Sequence, residues 1–216
     1  MVSKGQNKLK VIDEYASEAL LRKYLPVVDS LVFTQNKFKQ NVDIKRYPVF
    51  VKIISNKAIH KVKAKAIFEI ISAKDLAEKK ATILRRARTL NAKRIVVQEK
   101  LYGYELIFGI KEDNKFGTLL LIGLGGVFAE QLKDTSLRVL PIKKSEFVSM
   151  IEELKNKAIT LNLDINKLWL FASKLIKFVQ THKNIRYIDL NPVIVDYNTK
   201  KPVVVDARIY VKESKK

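Results

Sequence analysis

Apolar and polar positions along the 216-residue chain alternate in two periods, and the change from one to the other marks its elements. Asp13 opens a predicted helix with Tyr15, Ala16, Ala19 and Leu20 as its apolar positions, and Pro26 follows its end. Pro48 to Ile54 reads as a strand interrupted by a single charge, Lys52, and a loop through His60 leads to a second strand, Ala66 to Ile71. Ser72 with Asp75 has the form of a capping-box variant and opens a helix whose inner face carries Leu76, Ile83, Leu84, Ala87 and Leu90. The second half is predicted to begin with the strand Arg94 to Glu99. Strands Glu105 to Glu112 and Thr118 to Gly123 follow, then helices Glu146 to Ala158 and Ile165 to Thr181. The last helix aligns Leu168, Phe171, Leu175, Phe178 and Val179. Strands Ile185 to Asp196 and Pro202 to Ile209, around Tyr197-Asn198-Thr199-Lys200, close the chain as a hairpin.

This is an α+β pattern without internal repeats. It divides into two lobes, 1–97 with the N-terminal helix and the His60 loop, and 98–216 with the hairpin, joined near Val97 to Gly103. Composition supports a packed core: 47% hydrophobic and 30% charged residues exclude a disordered chain. The absence of cysteine excludes disulfide frameworks, thiol nucleophiles and thiolate zinc, and fits a cytoplasmic setting. Met1 to Lys10 lacks the apolar stretch of a secretory signal. The long uncharged run Thr118 to Ala129 is too short to span a bilayer, so a soluble protein is expected.

Charge changes the picture more. With 42 basic and 22 acidic residues the net charge is +20, which admits nucleic acid or an acidic partner subunit as binding partners. The lysines are scattered and outnumber the arginines, and no arginine cluster interleaved with aromatics is present. A lysine-rich solvated background is therefore preferred to nucleic-acid binding.

The hairpin carries the sharpest candidate chemistry. A turn centred between Asn198 and Thr199 sets Asn191 opposite Asp206, and Asp189 opposite Arg208, all four on one face if the alternation is unbroken. A carboxylate beside a carboxamide oxygen suits a hard cation such as Mg2+. An ordinary hairpin with a surface aspartate and an Asn-Pro turn stays equally open on these residues alone. Lys52 needs a partner or a route to solvent, and a nucleotide phosphate would serve. Glu99 and Glu105 flank the crossing between lobes, where ribose hydroxyls or an adenine amino group could be held. His60 could act as base, ligand or phosphate carrier, whereas His182 near a helix end is given no role. Gly123-Leu124-Gly125-Gly126 could cradle a phosphate through its amides, though it is no Walker loop.

Taken in order, several stretches resemble an ATP-grasp domain. They are Tyr-Pro-Val-Phe-Val-Lys-Ile-Ile-Ser with His60-Lys61, Val-Val-Gln-Glu with Gly103 and Glu105-Leu106-Ile107, and Phe116-Gly117 through Gly-Leu-Gly-Gly. The run continues with Lys133 to Arg138 and Pro141, then Ile188-Asp189-Leu190-Asn191-Pro192, and closes with Val205-Asp206-Ala207-Arg208-Ile209. More narrowly, the chain resembles the β subunits of ADP-forming acetyl-CoA synthetases, within the NDP-forming acyl-CoA synthetase superfamily. The resemblance implies an ATP-grasp fold with a nucleotide cleft between two lobes. It also implies an enzyme active only with a CoA-binding α subunit, as an α2β2 assembly. Mg2+ would be held by Asn191 and Asp206, and ATP or ADP by Lys52, Glu99, Glu105, Gly125 and Gly126. His60, Arg138 and Asp189 would be catalytic, with His60 passing a phosphoryl group between an α-subunit phosphohistidine and ADP.

The chain departs from the family pattern after His60. Val62, Lys63, Lys65 and Ala66 replace a small polar residue, an acid and a Gly-Gly pair, and Tyr187 replaces an acid. A divergent nucleotide-binding subunit with an impaired relay is the alternative these departures raise. A basic nucleic-acid-binding module is the remaining one.

Overall fold

The computed structural model describes residues 9–40, 42–55, 65–125 and 134–213. His60 and Gly126 therefore lie outside the described residues. The chain divides into two compact units, Val28–Leu101 and a larger one of Met1–Val27 with Tyr102–Lys216.

The smaller unit is a four-stranded antiparallel sheet in the order β2-β5-β3-β4, formed by β2 (Ser30–Phe33), β3 (Val49–Ile54), β4 (Ile67–Ile70) and β5 (Arg94–Glu99). Helices α2 (Gln35–Gln40) and α3 (Ala73–Thr89) belong with it. Val49, Val51, Ile53, Ile95 and Val97 share one core with Phe38 of α2 and with Leu76, Ile83 and Ala87 of α3. Ser72 caps α3 by accepting from the Asp75 amide, and the Asp75 carboxylate accepts from the Ile71 amide, one residue short of a full capping box. The strand expected to open the second lobe, Arg94 to Glu99, thus lies in the middle of the smaller sheet.

The larger unit is a seven-stranded sheet in the order β1-β11-β9-β6-β7-β8, with β10 also paired to β9. Its strands are β1 (Leu9–Ile12), β6 (Gly103–Asp113), β7 (Gly117–Leu124), β8 (Thr135–Val139), β9 (Ile185–Asp196), β10 (Pro202–Val204) and β11 (Ala207–Lys212). Its helices are α1 (Glu14–Leu21), α4 (Lys144–Glu153), α5 (Lys157–Thr160) and α6 (Ile165–Thr181). Leu168, Phe171, Ala172, Leu175 and Phe178 of α6 bury the predicted stripe against Leu106, Phe108, Ile110, Ile188 and Leu190 of the sheet.

Four expectations are corrected. The N-terminal helix, placed with the small lobe, belongs to the larger unit, because β1 pairs with β11 and α1 packs on β11. The buried face of α1 is Glu14, Ser17, Glu18 and Leu21 rather than its alanines, and Leu20 is exposed. Eight residues are too few for periodicity to choose between neighbouring stripes. The single helix expected over Glu146 to Ala158 is two: Leu154 turns extended, and the buried Asp134 carboxylate accepts from the Lys155 and Asn156 amides in the break. The final strand is also two, parted at Val205-Asp206.

Candidate functional site

The hairpin register is the one its turn predicts. Val204 faces Val193, Ala207 faces Leu190 and Arg208 faces Asp189. Between these pairs the Asn191 amide donates to the Asp206 carbonyl at 3.1 Å, and the Val205 amide to the Pro192 carbonyl at 3.2 Å. The turn is tied by Asp196, whose carboxylate accepts from the Asn198 and Thr199 amides and the Thr199 hydroxyl.

The alternation of faces is broken where the candidate ligands stand. On β9 the core side chains are Ile188 and Leu190, then Val193 and Val195; on the partner strands they are Ile209 and Ala207, then Val204. Each series skips one residue, at Asn191-Pro192 and at Val205-Asp206, so both strands change phase together and the cross-strand register survives. Beside them β6 keeps strict alternation: Leu106 faces Val193 and Phe108 faces Leu190, two residues against three. Asn191-Pro192 therefore sits in a β-bulge, a device that re-aims side chains at functional positions. Asn191 is exposed and Asp206 half-buried with its Oδ1 shielded from solvent.

Asp189 and Arg208 lie on the sheet face opposite the helices, with Tyr187 and Tyr210, whose rings are 5.1 Å apart and tilted. Burial, reinforced by the charge of Asp189, raises the Tyr187 phenol above its ordinary pKa. Tyr210 was not anticipated, although it faces Tyr187 in the predicted register.

Lys52 is buried, 2% exposed, in the middle of β3. It faces Val96 on β5, and the same sheet face carries Phe50 and its partner Gln98, which is 1% exposed and donates through Nε2 to the Ser30 hydroxyl at 3.0 Å. Gln98, unlike the exposed Glu99 at the strand end, thus shares a face with Lys52, as do Arg94 and Glu69. Period two applied across β3 and β5 would have found it.

Other candidates stand elsewhere. Glu105 is exposed on β6, and its carbonyl accepts from the Gly125 amide at 2.7 Å. That amide is spent within the sheet. A Cβ at Gly125 would lie 3.1 Å from Glu105, and one at Gly123 would meet the Thr135 side chain at 2.6 Å, so both glycines serve close packing rather than a phosphate cradle. Arg138 faces Leu120 of β7, and so projects on the helix-covered side, opposite to Asp189. β8 is three strands from β9, about 14 Å. Its guanidinium is paired with Glu153 of α4, which also accepts from the Ser136 hydroxyl. The structure does not bring Arg138 together with the hairpin residues, and its partners make it a clasp for α4.

That clasp predicts an acid-sensitive stability term. The Arg138 hydrogen bond holds the Glu153 carboxyl below the ordinary carboxylate range, so its contribution is present at neutral pH and disappears as pH falls through the depressed value. Glu153→Gln is expected to lower Tm at pH 7, and the gap to the parent protein should narrow as pH falls below the ordinary carboxylate range. A gap independent of pH would show that the ion pair is not its source.

Among the described residues no three His, Cys, Asp or Glu side chains gather to hold a metal, and no helix is long and apolar enough to cross a membrane. A crevice of about 410 Å³ opens on the larger unit between α6 and the ends of β6 and β9, lined by Ile110, Leu140, Ile176 and Val179 among others. It starts at Ile185, six residues or about 20 Å along β9 from Asn191, so it is no part of the hairpin site.

Known proteins resemble this chain over nearly its whole length. The ATP-grasp domain model matches residues 4–211. The β subunit of ADP-forming acetate–CoA ligase II from Pyrococcus furiosus is 34% identical over 214 residues, covering 92% of this chain and 91% of that one. A crystal structure from Pyrococcus horikoshii Ot3 superposes with a TM-score of 0.81 at 30% identity, covering 94% and 92% of the two chains. An acetyl-coenzyme A synthetase from Ca. Korarchaeum cryptofilum was solved with coenzyme A and Mg-AMPPCP, its phosphohistidine segment pointing towards the nucleotide-binding site. It gives a TM-score of 0.72 at 28% identity, covering 94% and 93%. With nearly every residue matched and both sheets in place, the chain belongs to the ATP-grasp family, within the group of ADP-forming acetate–CoA ligase β subunits.

Proposed function

We propose that this chain is the nucleotide-binding β subunit of an ADP-forming acyl-CoA ligase, acting in a cytoplasmic α2β2 assembly with a CoA-binding α subunit. The reaction is acyl-CoA, ADP and phosphate to acid, CoA and ATP, and it is reversible. The observation that supports this most is the hairpin register that sets Asn191 across from Asp206, where both strands change phase together.

A carboxamide and a carboxylate offer oxygen donors of the hardness Mg2+ takes, and two protein ligands leave the remaining positions for water and phosphate. Bound there, Mg2+ would supply charge neutralisation at the β- and γ-phosphates. Asp189, with Arg208 across from it on the same sheet face, would orient the groups around that pair. On the smaller unit, Lys52 offers an ammonium already held out of water. Such a charge acts on phosphate in a low-dielectric surrounding, where it is worth more than in solvent. Glu99 and Glu105 are assigned to the adenine and ribose end. His60 would take the phosphoryl group from ATP or from the α subunit, so that positioning, rather than covalent novelty, carries the rate.

Titration of Mg-ATP into wild type and Lys52→Met tests the reading. The variant keeps an unbranched side chain, one atom shorter, and removes its charge. Affinity is expected to fall at least tenfold, and thermal denaturation checks that the variant is folded. Unaltered Mg-ATP affinity in a folded Lys52→Met protein would refute the phosphate assignment.

A further inference from the structure

The net charge is not spread evenly. The smaller unit, Val28–Leu101, holds 18 Lys and Arg against 6 Asp and Glu, a net +12 in 74 residues. The other 142 residues hold 24 against 16, a net +8. Within the smaller unit the excess gathers on the helical layer. Residues 35–46 and 73–93, which comprise α2, the segment after it, and α3 with its turn, carry 11 basic residues and only Asp43, Asp75 and Glu78 as acids. Asp75 is occupied by Lys79 at 2.9 Å and by the Ile71 amide.

The apolar side of α3 is spent on the core through Leu76, Ile83 and Ala87, which leaves Lys74, Arg85 and Arg88 exposed on the outward side over about 21 Å. Lys37 and Lys39 of α2, Lys45, Arg46 and Lys93 are exposed in the same layer. α2 packs against α3, so these cations form one surface. A solvated lysine background, scattered over the chain, accounts for the larger unit but not for this concentration.

We infer that the outer face of α2 and α3 is a docking surface for an acidic protein partner, separate from the hairpin site. Such a surface gains from a complementary Asp and Glu patch in association rate and in choice of partner. Its make-up favours protein over nucleic acid. The only aromatic in the layer is Phe38, fully buried, so no ring is offered to a base. Exposed Ala77 and Ala81 lie between Lys74 and Arg85 and leave room for an approaching surface, with Glu78 the one exposed acid between them.

The test uses the full chain and three fluorescent probes: a peptide of ten glutamates, a 20-base-pair DNA duplex and a single-stranded RNA of the same length. The patch variant is Lys37→Glu/Arg85→Glu/Arg88→Glu. The control is Lys115→Glu/Lys174→Glu/Lys177→Glu, of equal charge change on the larger unit. Peptide binding at 150 mM salt is expected to fall at least tenfold in the patch variant and less than threefold in the control, with Mg-ATP affinity unchanged in both. Equal losses would reduce the effect to net charge and overturn the proposal, as would a parent protein that does not bind the peptide. Duplex or RNA bound more tightly than peptide, and lost in the patch variant, would overturn it in favour of nucleic acid.

Discussion

Asp206→Ala is expected to weaken Mg-ATP binding by roughly a hundredfold, while ATP offered without a divalent ion binds both proteins alike. The magnitude follows from the sparseness of the site. Among the described residues no three acidic or imidazole side chains gather to hold a metal, and Asp206 is the charged member of the pair it forms with Asn191. Even groups that merely support metal ligands cost roughly 10–100-fold when removed. Asn191→Ala should cost less, because a carboxamide brings an oxygen without a charge and Asn191 stands exposed. Asp206→Asn should fall between, keeping the shape and losing the charge. Calorimetric titration with and without Mg2+ measures all four proteins, and thermal denaturation checks that each is folded. Should Asp206→Ala retain the parent affinity for Mg-ATP, the metal assignment fails whatever the nucleotide contacts prove to be.

How far this site was legible in the sequence differs between its parts. The cross-strand register was legible because one tight turn, tied by Asp196, counts residues outward on both strands equally. The faces were not, since alternation is a local rule, and the matched skips at Asn191-Pro192 and Val205-Asp206 show only against the third strand, β6. Lys52 was legible as an anomaly in an apolar strand, whereas Gln98 was overlooked because strand β5 was assigned to the wrong lobe. Arg138 drew attention through its place in a motif, but its role depends on Glu153, fifteen residues later, and no periodicity links the two. The same limit applies to β1 and β2, four-residue edge strands too short to carry a period. Lys65 makes a finer point. It stands where the family has the first glycine after the phosphohistidine, and its φ is +47°, in the left-handed region that glycine favours. Holding a lysine in that region costs about 1–2 kcal/mol.

The largest effect on turnover is expected at the relay itself. With its partner subunit and labelled ATP, this chain should take up a phosphoryl group that is labile to acid and stable to base, as a phosphoramidate is. His60→Ala should abolish both the label on this subunit and turnover by the complex. The chemistry needs an imidazole nitrogen free to attack the γ-phosphorus as ADP leaves, then to release the group to the next acceptor. The chain has two histidines. His182 is anchored at the end of α6: its Nδ1 is 2.8 Å from the Phe178 carbonyl and 3.0 Å from the Thr181 hydroxyl, and its ring packs 4.4 Å from Phe178 and 5.7 Å from Tyr24. His182→Ala is therefore expected to keep the label and lose some stability. The replacement of the family's acid by Lys63 removes an orienting partner for the imidazolium, so phosphoryl uptake should be slower than nucleotide binding rather than absent. Uptake that persists in His60→Ala would end the relay assignment. A folded parent complex that binds Mg-ATP but never acquires label would instead establish the divergent, relay-deficient subunit.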